Sequence, residues 1–363
     1  MKILHIMGSA DVGGVAAVVY NYMCYMDQDS YQFDIALKGH KPGVMGVKMM
    51  ERGARFYELP LKSKGIKEYQ KELFELLHNE EYDAIHVHES STSYVSLEVA
   101  KKCGIKCRIA HAHKTGYATS LSDRIVLLSG RILNALFATT LIGCGIESGN
   151  DIFGKLNMMK KGIVLPNSIN VERFCFDQCV RDVIRKEWNA ENRYVIGMVG
   201  RLTDQKNPMF ALEIIRDLRE YLDDFLFVMV GTGDLEKEIK EYCQKNKLEK
   251  CVRLLGVRTD IDRIYQGLDI CIMPSLFEGF PVVAVEAMAS GLPLLLSSSI
   301  TFELKFGKHV VYLPLDKEKW IDVLKKRLVN DHREMGSLEV KNNGYDIRDT
   351  VRLLEKIYEK GCP

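Results

Sequence analysis

Residues 273–297 read MPSLFEGFPVVAVEAMASGLPLLLS, and the reading of this stretch decides the fold. Just before it, LDICIMP is a short apolar run that ends at Pro274, the pattern of a buried strand. Ser275 to Phe280 form a loop. Pro281 suits the first turn of a helix, where its missing N–H costs nothing. Val282 to Ala289 are predicted as that helix, and Gly291-Leu292-Pro293 stops it. The run LPLLLS is the next buried strand.

Two carboxylates stand in this unit with seven residues between them: Glu278 in the loop and Glu286 inside the helix. The free N–H groups at the helix start, those of Val282 and Val283, form an anion site between the two acids. A phosphate docked there would be flanked by two acceptors for hydroxyl groups, a receptor suited to a sugar nucleotide. The plainer alternative makes both acids solvated surface groups. Against it, Glu286 lies in VVAVEAMA, an otherwise apolar helix, where an acid needs a partner or a ligand.

The string E-G-F-P-V-V-A-V-E-A-M-A-S-G-L-P resembles the E-x7-E motif of the retaining nucleotide-sugar glycosyltransferases of family 4. The match extends through the flanking P-S and G-L-P. It implies that Glu286 holds the donor ribose and Glu278 the transferred sugar. It further implies that the Gly279, Phe280, Pro281, Val282 and Val283 segment lies against the donor.

The whole chain bounds this reading. Its 363 residues suggest two domains, each able to bury a core. A net charge of +1 gives no case for nucleic acid as a partner. Ten cysteines lack any framework or zinc-like spacing and read as reduced cytosolic thiols. MKILHIMGSA reads as a first strand and not a signal peptide. No uncharged apolar run approaches the ~18 residues of a spanning helix. A cytoplasmic enzyme is expected, peripheral at most to the inner face of a membrane.

In chain order, Lys2–Met7 is a strand running into a glycine-rich turn and a helix. Gly13 and Gly14 would let backbone amides approach a phosphate, although the turn is not a G-x-G-x-x-G fingerprint. In the family such a G-G lies near the donor diphosphate. DAIHVHES and CRIAHAHKT are two strands, each ending in H-x-H, with His86 and His88 on one face and His111 and His113 on one face. A metal set is not adopted, because no carboxylate or cysteine completes it. The resemblance instead makes His113, with His111 as runner-up, the group that contacts the donor sugar and polarises the reaction centre. The segment from Ser122 into the following strand, with Arg124 and Arg131 among leucines, suits a membrane surface. Packing of that helix inward on its domain is the preferred expectation.

GIVLPNSIN departs from the family's P-N-G-I-D at Ser168 and Asn170, which puts the local turn geometry in question. Next, Arg201 and Lys206 follow a strand end, where a parallel sheet presents its ligands. Their string G-R-L-x-x-Q-K-N resembles the family's diphosphate grip. G-T-G-D, with Gly231, resembles its G-x-G turn, and Val257 and Arg258 fall where family members meet the base. VRLLGVRTDI is expected as a strand, and YDIRDTVRLLEKIYEK as an amphipathic helix.

Strands alternating with helices through both halves argue two doubly wound α/β sheets. The resemblance implies GT-B: two Rossmann-like domains facing a central cleft, residues 1–166 on the acceptor side and 167–345 binding the nucleotide sugar. A helix in 346–363 returns to the first domain. The implied activity is retaining transfer of a hexose-type sugar from a nucleotide diphosphate, UDP by preference, to a glycan or lipid-linked acceptor of capsular or exopolysaccharide synthesis. No metal cofactor is expected. The rivals are a UDP-sugar epimerase and a non-catalytic nucleotide-sugar-binding protein; a dehydrogenase is poorer, for want of the dinucleotide fingerprint.

Overall fold

The structure, a computed structural model, describes residues 1–11, 14–39, 41–113, 120–307, 309–327 and 332–361. The chain divides into two compact units, Met1–Ser168 with Ile347–Pro363, and Ile169–Asp346.

The first unit holds seven strands: β1 (Lys2–Met7), β2 (Gln32–Lys38), β3 (Phe56–Leu59), β4 (Ala84–Val87), β5 (Cys107–Ala112), β6 (Thr140–Gly143) and β7 (Gly162–Val164). They form one parallel sheet in the order β3-β2-β1-β4-β5-β6-β7. Parallel neighbours need long crossovers, and helices supply them. The sheet is therefore covered on its faces, which is why β1 and β4 read as apolar runs instead of alternating. Tyr69, Leu73 and Leu77 of the helix Ile66–Asn79 bury one stripe against this sheet and leave the charged face in water. The last helix, Ile347–Gly361, belongs to this unit and buries Val351, Leu354, Ile357 and Tyr358. Its end meets β5 so closely that a Cβ on Gly361 would stand 2.5 Å from Cys107 Sγ.

The second unit holds β8 (Tyr194–Val199), β9 (Phe225–Val230), β10 (Val252–Leu254), β11 (Ile270–Met273), β12 (Leu294–Ser297) and β13 (Val310–Leu313), parallel in the order β10-β9-β8-β11-β12-β13. Its core packs Phe225, Phe227, Leu212, Ile215 and Trp320. Both sheets are doubly wound. In each, the strand order reverses once, between β1 and β4 and between β8 and β11. Ligands of open α/β sheets bind beyond the carboxyl ends of the strands at that reversal.

Local departures have local causes. VRLLGVRTDI is strand only over Val252–Leu254, because the chain turns at Gly256, whose φ of +64° favours glycine. Asn170, where the family pattern has Asp, accepts hydrogen bonds at Oδ1 from the N–H groups of Glu172 (3.1 Å) and Arg173 (3.3 Å). It thereby caps the 3-10 turn Val171–Phe174.

The helix Leu121–Phe137 differs from the expected inward packing. Ser120 and Asp123 close its start with a capping box. Only Gly130 and Asn134 are buried. A Cβ on Gly130 would stand 2.4 Å from Ser91 O, and Asn134 Nδ2 donates to Ser91 O at 3.0 Å. At 100° per residue, Leu121, Ile125, Leu128, Ile132 and Leu136 fall on the opposite side. Leu121 is 74% exposed and Ile132 70%, so the apolar stripe faces away from the domain among the described residues. Close backbone approach at Gly130 and the amide of Asn134, both polar or small features, decide which side docks.

Candidate active site

At the reversal in the second sheet, the loop after β8 and the loop after β11 lock together. Gln205 O accepts from Leu276 N at 2.9 Å, Gln205 Nε2 donates to Phe277 O at 3.0 Å, and Asn207 Nδ2 donates to Pro274 O at 3.2 Å. Asn207 itself takes a left-handed conformation, φ 56°, and starts the helix Pro208–Leu218, with proline in its first turn. This clamp brings Lys206 onto Glu278: Nζ donates to Oε1 at 2.5 Å, and Gln205 Nε2 lies 3.4 Å from Oε2. Glu278 is buried, 8% exposed, and Lys206 is nearly so. Arg201 stands exposed at the same strand end; no side-chain hydrogen bond or ion pair reaches its guanidinium among the described residues.

Glycine is obligatory here for space. Gly231 has φ +131°, and a Cβ on it would lie 2.0 Å from Gly200 O. Gly200 N donates to Val230 O at 2.9 Å, so the ends of β8 and β9 close on each other.

The helix Val282–Ala289 follows Glu278, Gly279, Phe280 and Pro281, and no side chain caps its start. The first N–H groups, those of Val282 and Val283, are thus left for another acceptor. Glu286 lies half-buried below them. The Tyr265 hydroxyl is 3.1 Å from Glu286 Oε2 and 3.2 Å from Val283 O, so one proton serves two acceptors. Burial pushes the Glu286 carboxyl up to about 7, and the Tyr265 hydrogen bond only partly offsets that. Phe280 is buried and stacks on Tyr345, 5.3 Å between ring centres, with Phe306 on the other contact of Tyr345. That stack fixes the loop carrying Glu278. Val257 is 55% exposed. Arg258 is gripped by Asp260, with Nε to Oδ1 at 2.8 Å and Nη2 to Oδ2 at 2.7 Å, which raises its already high pKa.

In the first unit, the four H-x-H histidines gather at the β1–β4 reversal, together with His5, which the sequence reading missed. His5 Nδ1 lies 2.9 Å from His88 Nε2, His88 Nδ1 2.8 Å from His113 Nε2, and His86 Nε2 3.1 Å from His111 Nδ1. Tyr358 of the last helix lies 2.8 Å from His86 Nδ1. Burial lowers all five imidazoles, His113 to about 4 and His5 to about 3, so all are neutral near pH 7. Gly14 starts the helix Gly14–Tyr25, and an added Cβ there would meet nothing within 4 Å among the described residues. Gly13 lies outside the described residues.

Sequence reasoning also missed Glu89, at the end of β4. It pairs with Lys38 and, at 2.5 Å, with Lys62, while Ser96 Oγ donates to it at 3.2 Å. Its position directly after the first H-x-H was the available signal. Gln205 lay inside the G-R-L-x-x-Q-K-N string but was given no role, and nothing near Tyr265 in sequence pairs it with Glu286.

A family model described as glycosyl transferases group 1 matches residues 180–309. EpsF of Bacillus subtilis (strain 168), named as a glycosyltransferase, is 30% identical over 98% of this chain and 96% of its own length. A UDP-Gal:alpha-D-GlcNAc-diphosphoundecaprenol alpha-1,3-galactosyltransferase of Escherichia coli is 31% identical over 62% of this chain and 60% of its own. The crystal structure of Anabaena HepE in complex with UDP superimposes with a TM-score of 0.82 at 17% identity, covering 99% of this chain and all of that one. At that identity the likeness is one of fold.

Proposed function

The chain belongs to the group 1 glycosyl transferases, and on that premise we propose a retaining transferase of family 4. It moves a hexose-type sugar from a UDP-linked donor to a polysaccharide or lipid-linked glycan acceptor. The observation that carries this reading is the Lys206–Glu278 contact at a sheet reversal, beside a helix start whose amides no side chain caps. Arg201, Lys206 and the N–H groups of Val282 and Val283 bind the donor diphosphate. Glu286 accepts from the ribose hydroxyls, and Glu278 from the transferred sugar. In the reaction the anomeric carbon–oxygen bond to the diphosphate breaks, and the electron pair leaves on the phosphate oxygen. The acceptor hydroxyl forms the new bond and gives its proton to that oxygen. The basic groups stabilise the departing charge. Neutral His113 hydrogen-bonds the sugar and polarises the reaction centre.

Fixed cations and helix amides replace a divalent metal in this scheme. UDP should therefore raise the melting temperature in EDTA, by an amount equivalent to about 2.7 kcal/mol at a hundredfold excess over Kd. A thermal-shift panel of UDP-, GDP- and ADP-sugars, with and without EDTA, measures this. Stabilisation that requires added divalent metal would overturn the metal-free grip. Release of an isomerised sugar without acceptor would replace transfer with epimerisation.

Peripheral contact with an anionic membrane belongs to the same reading. Its support is the outward stripe of the helix Leu121–Phe137, with exposed Arg124 beside it. No helix among the described residues is long and apolar enough to cross a membrane. Vesicles rich in anionic lipid should co-sediment the protein at low salt, and neutral vesicles should not. Ile132→Glu should abolish the effect. Equal binding to both vesicle types, or none, returns the stripe to a different partner.

A further inference from the structure

The acid assigned to the ribose is held from behind by a buried tyrosine. We propose that Tyr265 is a positioning residue: its hydroxyl fixes Glu286 and the first turn of the helix Val282–Ala289 in one arrangement, and so sets the affinity for the donor ribose. The inference rests on the reading of Glu286 as the ribose acceptor. The Tyr265 hydroxyl, 3.1 Å from Glu286 Oε2 and 3.2 Å from Val283 O, touches both parts of the donor grip. Val283 supplies one of the N–H groups assigned to the diphosphate, and Glu286 lies in the next turn. A single phenol thereby ties the ribose acceptor to the diphosphate turn.

Tyr265 is itself anchored at both ends. It is fully buried in the helix Ile261–Gly267, and its ring packs on Phe174, 6.0 Å between centres. Its carbonyl is gripped by the buried Arg333, which spans the ends of both helices. Nη2 donates to Tyr265 O at 3.0 Å, Nη1 to Leu268 O at 3.0 Å, and Nε to Ser290 O at 3.1 Å. Ser290 closes the helix of Glu286, its N–H donating to Glu286 O at 3.1 Å. The frame is therefore rigid, whereas a glutamate side chain has several rotatable bonds whose ordering costs entropy. Held by Tyr265 through Oε2, the Glu286 carboxylate is ordered before a ligand arrives, and binding does not meet that cost again. A carboxylate accepts about four hydrogen bonds, so one phenol leaves room for both ribose hydroxyls. The phenol is the donor of this pair, since burial and the neighbouring acid keep its proton on. Arg173 and Asp262 act on the Glu286 carboxyl through their charges, with opposite signs, and are paired with each other at 2.6 Å.

The test separates ribose recognition from diphosphate binding. UDP and 2′,3′-dideoxy-UDP are titrated calorimetrically into the full chain and into Tyr265→Phe, Glu286→Gln and the double variant, at pH 8, above the titration of Glu286. Wild type should prefer UDP by about tenfold or more, from hydrogen bonds to a charged group. Tyr265→Phe should lose most of that preference, while its affinity for the dideoxy analogue stays within about twofold of wild type, since the amides and cations that hold the diphosphate remain. In the double variant, the phenylalanine should add nothing to the effect of Glu286→Gln, because it acts through that carboxylate. Tyr265→Phe removes one oxygen and keeps the ring, so the core stays filled, and melting confirms the fold. A tyrosine that only supported the fold would weaken both ligands alike and add to Glu286→Gln, and that result would overturn the proposal. A full preference for UDP in Tyr265→Phe would overturn it too, and would leave Glu286 on the ribose. No preference in wild type would remove both assignments.

Discussion

Lys206→Ala should lower stability by about 3 kcal/mol, the lower end of the cost of removing one partner from a buried ion pair. For a unit of this size that is a fall of roughly 6–12 °C in melting temperature. The reason is Glu278. It is 8% exposed, and without Lys206 its nearest remaining donor is Gln205 Nε2 at 3.4 Å. The same variant should abolish transfer, since Lys206 is also assigned to the diphosphate. A double variant separates the two effects. Lys206→Met with Glu278→Leu removes both charges and fills the space with apolar groups, which is close to neutral for stability. It should recover most of the melting temperature and no transfer. Wild-type melting of Lys206→Ala would mean that the pair contributes nothing to the fold.

Glu286 should make nucleotide binding depend on pH. Its carboxyl sits at about 7 because the half-buried position disfavours charge. Ribose hydroxyls donate to the ionised form, so UDP should bind more tightly as pH rises from 6 to 8. The diphosphate titrates in the same range, but it does so identically in Glu286→Gln, and the difference between the two proteins isolates the carboxyl. Glu286→Gln should weaken binding at pH 8 by tenfold or more, from about 1.5–3 kcal/mol per hydrogen bond to a charged group. The sign for stability runs the other way. A carboxyl raised above its unfolded value binds more protons in the folded state between about 4.5 and 7, so stability falls as pH rises through that window. Glu286→Gln should therefore melt higher than wild type at pH 8 and not at pH 4. Calorimetric titration and melting at matched pH values check both signs. Parallel pH profiles in the two proteins would remove Glu286 from the ribose.

Much of this was legible from sequence, where the cause is local. The helix Val282–Ala289, its stop at Gly291 and the strands on either side follow from apolar runs, a proline and a glycine within one short stretch. The doubly wound class follows from the alternation of such units along the chain. The acid in an apolar helix, Glu286, and the basic residues after a strand end, Arg201 and Lys206, were visible for the same reason: each is unusual among its immediate neighbours.

What the tertiary structure alone decided depends on which strands lie side by side. The order β9-β8-β11 puts Lys206 on Glu278, 72 residues away, and makes a buried pair of two groups that sequence could only name separately. The order β1-β4-β5 adds His5 to the four H-x-H histidines and turns four candidates into two hydrogen-bonded chains, His5–His88–His113 and His86–His111, stacked on each other. The Leu121–Phe137 helix shows the limit from the other side. Its periodicity gives an apolar stripe but not the side that docks, and contact at Gly130 and Asn134 turned that stripe outward. Periodicity and turn chemistry act over a few residues, whereas strand order and helix facing are set by burial summed over the whole unit.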